Sequence, residues 1–137
     1  MATVQRFEEL EVYKLGLEII RMVWDICRRL PRNEWAIANQ MKKAAVSIIS
    51  NIAEGFERGS RPEFIQFCYI AKGSAGELRA QLQALYTAGI IEEEKCFQGR
   101  DLCLRESGAL MSFITHLKGS KARIGGDKFR KVANSSP

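Results

Sequence analysis

Between residues 64 and 85 the side chains Phe64, Cys68, Ala71, Ala75, Leu78, Leu82 and Leu85 recur at spacings of three and four. That repeat belongs to an α-helix packed along one stripe; a strand would turn alternate members to opposite faces. Ser60-Arg61-Pro62-Glu63 writes the start of this helix. Serine and glutamate three apart make a capping box, and Pro62 lies in the first turn, where its missing N–H is tolerated. Gly89 stops the helix after about residue 88. A single apolar stripe needs partners, and three further segments supply them.

A first helix is expected over residues 8–30, closed by Pro31 and Asn33. It carries two seams side by side: Leu10, Tyr13, Leu17, Ile20, Trp24 and Cys27, and next to it Val12, Leu15, Ile19, Val23, Ile26 and Leu30. The combined face is broader than one packing partner covers, which points to a subunit interface, ahead of the alternative of a deeply set helix in a monomer. The second helix should run from residue 33 or 34 to 56 or 58, with Ile37, Met41, Ala45, Ile48, Ile52 and Phe56 inward.

Beside that core face runs a polar seam of Gln40, Lys43, Ser47, Asn51, Glu54 and Arg58. Ser47, Ser50 and Asn51 are short and poor helix formers, where a solvated stripe would carry Lys and Glu. A hydrogen-bond network that sets packing or assembly accounts for them, with Gln40, Ser47, Asn51 and Glu54 as its candidate members and Glu54 bridging to Arg58. In the third helix Gly73 and Gly76 each cost about 1 kcal/mol relative to alanine. Close approach of another helix is the expected compensation. The fourth helix begins near Glu92, Glu93 and Glu94 and closes at Lys118-Gly119, with a seam of Cys96, Cys103, Leu110 and Leu117 plus Phe113 or Ile114.

Four helices with short connections make an all-α, antiparallel up-down-up-down four-helix bundle over residues 1–118, followed by a flexible basic tail over 119–137. No apolar run is long enough for a membrane span, and residues 1–11 do not form a basic leader, so a cytoplasmic protein is expected. The net charge of +5 has one location. From Lys118 onward six cations, Lys118, Lys121, Arg123, Lys128, Arg130 and Lys131, face one acid, Asp127, whereas residues 1–117 balance 15 basic against 15 acidic side chains.

Catalysis finds little support. The single histidine, His116, has no paired nucleophile, no Glu-x-x-His motif offers a di-metal site, and no phosphate loop or nucleophile elbow occurs. Cys27, Cys68, Cys96 and Cys103 form no C-x-x-C pair and read as reduced packing residues. No catalytic residue, metal or cofactor is therefore expected.

Several motifs in order carry a family resemblance: Phe7-Glu8-Glu9-Leu10-Glu11-Val12-Tyr13, Gln40-Met41-Lys42-Lys43-Ala44-Ala45-Val46-Ser47-Ile48, Ser50-Asn51-Ile52-Ala53-Glu54-Gly55-Phe56, Arg58-Gly59-Ser60, and the run ending at Glu77-Leu78. Over residues 7–117 the chain resembles the four-helix-bundle proteins encoded by intervening sequences of bacterial large-subunit ribosomal RNA genes. The resemblance implies a homopentameric ring and similarity to the accessory variability protein of diversity-generating retroelements, which binds nucleic acid and partners a reverse transcriptase.

Two functional expectations follow. The first is a non-catalytic oligomer that binds nucleic acid, RNA ahead of DNA, through the tail cations helped by Lys42, Lys43, Arg58 and Arg61, with a reverse transcriptase as a candidate partner. Little exposed aromatic surface is expected for base stacking. The second is a protein-binding scaffold, supported by the neutral body and the broad face of helix one.

Overall fold

The apolar repeats break at Pro31, Gly59 and Gly89, and the chain turns at each. The computed structural model describes residues 4–119. Among these lie four helices, α1 (Glu11–Arg29), α2 (Trp35–Arg58), α3 (Arg61–Thr87) and α4 (Glu93–Gly119), and no strand. Gly59 and Gly89 hold φ of 85° and 77°, a left-handed conformation that side chains disfavour, and so reverse the chain after α2 and α3. The α3 cap forms as expected: Ser60 accepts from the Glu63 N–H and donates its hydroxyl to Glu63 Oε1 at 2.8 Å.

Helix one starts three residues later than predicted. Phe7–Glu9 forms a 3-10 turn and Leu10 is extended with its side chain buried, so the chain folds over one end of the bundle. There the Phe7 ring meets Tyr13 edge-on at 5.0 Å and Phe56 at 6.4 Å. Covering this end takes Leu10 and much of Phe7 out of water.

Neighbouring helices run antiparallel. Phe56 of α2, Phe64 of α3 and Phe113 of α4 form an edge-on series with centroids 5.9 and 5.2 Å apart, while Cys27 and Cys96 donate to the Ala38 and Leu82 carbonyls, 3.7 Å away in each case. The up-down-up-down bundle is thus the observed architecture. Its most extensive contacts are α2 with α3 and α3 with α4; α1 meets α4 along the thinnest seam between neighbouring long helices.

The two apolar seams of α1 take different roles. Val12, Ile19, Val23 and Ile26, with Gly16, enter the core, whereas Tyr13, Ile20, Trp24 and Cys27 are half-buried on its flank. Much of the face expected at a subunit interface is therefore used inside one chain, and Leu17 is its exposed large member, at 41%.

Close approach occurs at glycines other than those predicted. Among the described residues a Cβ on Gly73 or Gly76 would meet nothing within 4 Å, so none of the four helices explains them. At Gly16 it would lie 2.7 Å from Ile49 Cγ2, at Gly55 2.7 Å from Phe67 Cβ, and at Gly99 2.8 Å from Leu82 Cδ1. The core packs against these three positions because their lost side-chain volume is what lets the helices close. The ring assembly and the tail beyond residue 119 lie outside what the described residues contain.

Candidate functional site

The predicted polar seam of α2 folds into a specific cluster with α3. The Ser47 and Ser74 hydroxyls share a hydrogen bond of 2.7 Å, and Asn51 Nδ2 donates to the Ser47 carbonyl at 2.7 Å and to its hydroxyl at 2.9 Å. Each short polar side chain replaces water with a partner, which is why the helix tolerates them. Gln40 stands apart, exposed two turns earlier on α2. Glu54 belongs to a separate surface pair: Arg58 donates to Glu54 at 3.0 Å and to Glu63 at 3.1 Å. The Glu54 hydrogen bond is the first cause holding the Arg58 pKa above its ordinary value.

The candidate nucleic-acid cations do not form one patch within the bundle. Lys42 lies 5.3 Å over the Trp24 ring and Lys43 is exposed beside it, while Arg58 and Arg61 sit at the other end of α2, roughly 24 Å along the axis at 1.5 Å per residue. The charge of Arg58 is balanced by its two glutamates. Lys118, in the last turn of α4, donates to the Tyr69 hydroxyl at 2.7 Å and lies 5.1 Å over its ring. The antiparallel packing puts this turn at the same end of the bundle as Arg58 and Arg61. Lys121, Arg123, Lys128, Arg130 and Lys131 lie outside the described residues.

Exposed aromatic surface is larger than expected. Trp35 is 67% exposed, Phe97 55% and Tyr69 41%. Phe97, Leu104 and Met111 stand seven residues apart on the outer face of α4 and make an apolar stripe. A groove of about 570 Å³ runs between α1 and α4, lined by Glu11, Lys14, Leu15, Glu18, Arg105, Gly108, Ala109 and Ser112. A smaller one of about 240 Å³ lies under the α3–α4 connection against Ile26 and Leu30.

One polar group in the core was missed by sequence reasoning. Glu106 of α4 is fully buried, and neither carboxylate oxygen has a hydrogen-bond partner. Burial pushes its pKa up to about 8. Its position held the signal: residue 106 is three past Cys103 and four before Leu110, so it belongs to the inward seam of α4. The neighbouring thiols are packing residues. Burial raises Cys68 and Cys103 to about 12, far from the thiolate form a nucleophile or metal ligand requires. All four cysteines are free, and no group of three candidate ligands that could hold a metal occurs among the described residues. Nor is any described helix long and apolar enough to cross a membrane.

A family model described as the 23S rRNA-intervening sequence protein matches residues 8–112. The chain belongs to this family. Among solved structures, one described as a protein of unknown function from the S23 ribosomal protein family of Bacteroides thetaiotaomicron superposes with a TM-score of 0.71 at 24% identity, covering 76% of this chain and 95% of that one. At that identity the likeness speaks for the shared fold. A comparison with curated proteins gives no match. For this member of the intervening-sequence family, the match spans all four helices and ends before the last turns of α4 and the tail.

Proposed function

We propose that the chain is a non-catalytic, oligomeric nucleic-acid-binding protein, RNA ahead of DNA, that engages phosphates mainly through residues 118–131. The observation that carries this reading is the separation of charge: a formally neutral body joined to a segment holding the whole net charge of +5. That segment begins with Lys118 in the last turn of α4, a turn that lies at the end of the bundle bearing Arg58 and Arg61. Lys42 and Lys43 form a second, remote patch that a long strand could reach. Repetition of the subunit around a ring would multiply both patches, and an adaptor role toward a reverse transcriptase is the form of this proposal that the family resemblance suggests.

The test is the salt dependence of binding to a single-stranded RNA. Replacing Lys121, Arg123, Lys128, Arg130 and Lys131 by Gln in the full chain should flatten the slope of log K against log salt by about 3.5, from 0.7 per neutralised phosphate contact. An unchanged slope removes the tail from the mechanism. Native mass spectrometry of the same samples reads the oligomer.

A protein-binding scaffold is favoured instead by the exposed Phe97, Leu104 and Met111 stripe. Partners retained through nuclease and high salt, and lost with Leu104→Lys, would support that second reading.

A further inference from the structure

Glu106 occupies the middle of α4, buried in the bundle, and neither oxygen of its carboxyl has a hydrogen-bond partner. From α1 it faces Gly16, whose added Cβ would lie 3.3 Å from Oε2. The same Cβ would touch Ile48 and Ile49 of α2, so these aliphatic side chains wall the carboxyl on that side. The titratable neighbours are Cys68 of α3 and Cys103 of α4, both held as neutral thiols; Arg79 acts on Cys103 and has no resolved effect on Glu106 itself. On the α1–α4 side the ionic side chains Glu11, Lys14 and Glu18 of α1 and Arg105 of α4 line the outer groove. Leu15, next to Gly16, and Ala109, one turn beyond Glu106, line it as well.

A carboxyl without partners stays in such a place only while it is neutral. Once ionised it must gain water or a cation. The α1–α4 seam offers a way to either: it is the thinnest seam between neighbouring long helices, and beside Gly16 it already opens outward as a groove. We propose that the α1–α4 seam is a proton-controlled gate: protonated Glu106 lets α1 close over Gly16, and ionised Glu106 parts α1 from α4 and admits water.

The direction follows from linkage. In the unfolded chain the carboxyl ionises at its ordinary value near 4.5, whereas in the fold it keeps its proton to about 8. Between those values the folded state binds more protons, so its stability falls as pH rises, and above about 8 the two states are alike and the loss levels off. Over that window this group makes the folding constant drop by about tenfold per pH unit.

The experiment compares the full-length wild type with Glu106→Gln, a neutral near-isostere, and with Glu106→Leu as a second variant of similar bulk. Denaturant unfolding from pH 5 to 9 should show a wild-type folding constant that falls relative to both variants by two to three orders of magnitude, on about tenfold per unit, and then levels. Parallel pH profiles in all three proteins would overturn the switch.

Thiol alkylation at pH 8.5, mapped by mass spectrometry, tests the gate. Cys68 and Cys103 should label about tenfold or more faster in wild type than in Glu106→Gln, with Cys96 unchanged as the control. The charge on Glu106 raises the pKa of both thiols and by itself would slow wild-type labelling, so a faster rate reports opening. Equal acceleration at all the buried cysteines would mean global unfolding and would overturn the gate, as would no acceleration.

Discussion

The α2–α3 contact and the α1–α4 contact both place polar side chains inside a helical bundle, and they do so in opposite ways. Ser47, Asn51 and Ser74 bring short groups that find one another within 3 Å. Glu106 brings a long, ionisable group to a place where glycine and aliphatic side chains wall it in. A paired cluster holds register at little cost, because each hydrogen bond to water is replaced. A lone carboxyl instead makes the contact conditional on protonation. The extensive seam of the bundle is thus the insulated one, and the thin seam is the one that responds to solvent.

The strongest way to break this contrast is to fill the space that admits Glu106. Gly16→Val places a branched side chain where Ile49 and the Glu106 carboxyl already lie, and should destabilise the fold by about 3 kcal/mol in urea unfolding. A loss below about 1 kcal/mol would mean that α1 rides outward freely and that Gly16 sets no distance.

Removing the conditional group acts in the other direction. Glu106→Leu should stabilise the protein by on the order of 3 kcal/mol at pH 7, since keeping the proton against an ordinary value of 4.5 carries about that penalty when the folded pKa is about 8. The gain should shrink toward pH 5, measured as the difference in unfolding free energy at each pH. A gain independent of pH would mean that the residue acts through packing alone.

At the paired cluster the same kind of change should weaken the fold. Ser47→Ala removes the hydroxyl that both Ser74 and Asn51 use, for a loss of about 1.5 kcal/mol; Ser74→Ala costs about 1 kcal/mol. The double variant should lose less than the sum, because the two hydroxyls share one bond. Strict additivity in a double-mutant cycle would dissolve the cluster into independent groups.

The smallest effect belongs to the surface. Arg58→Gln breaks bonds to Glu54 and Glu63 that are open to solvent, and the melting midpoint should stay within error of wild type once salt screens the pair. A clear loss at high salt would give that end of the bundle a structural weight comparable to the buried cluster.

Much of this architecture was legible in the residues. The α3 seam, its Ser60–Glu63 cap and the stop at Gly89 depend on spacing and local chemistry, and they formed as read. The short polar residues of α2 pointed to a network, although Gln40 is not in it and Ser74, its α3 member, had no signal beyond lying next to the core residue Ala75. The glycines were misread because a helical glycine says only that a side chain is missing. Whether another helix uses the space depends on which way the position faces: Gly16, Gly55 and Gly99 face inward, while a Cβ at Gly73 or Gly76 would meet nothing within 4 Å among the described residues.

The sequence by itself determined four helices, their order, and a charge gathered after residue 117, because helical periodicity, capping and net charge are local or additive properties. Only the tertiary structure decided which of two α1 seams became core, which glycines admit a neighbour, and that Glu106 has none. Those outcomes depend on what stands opposite a residue across the bundle. Burial raises the proton affinity of a carboxyl, and for Glu106 no partner from a surrounding helix offsets it.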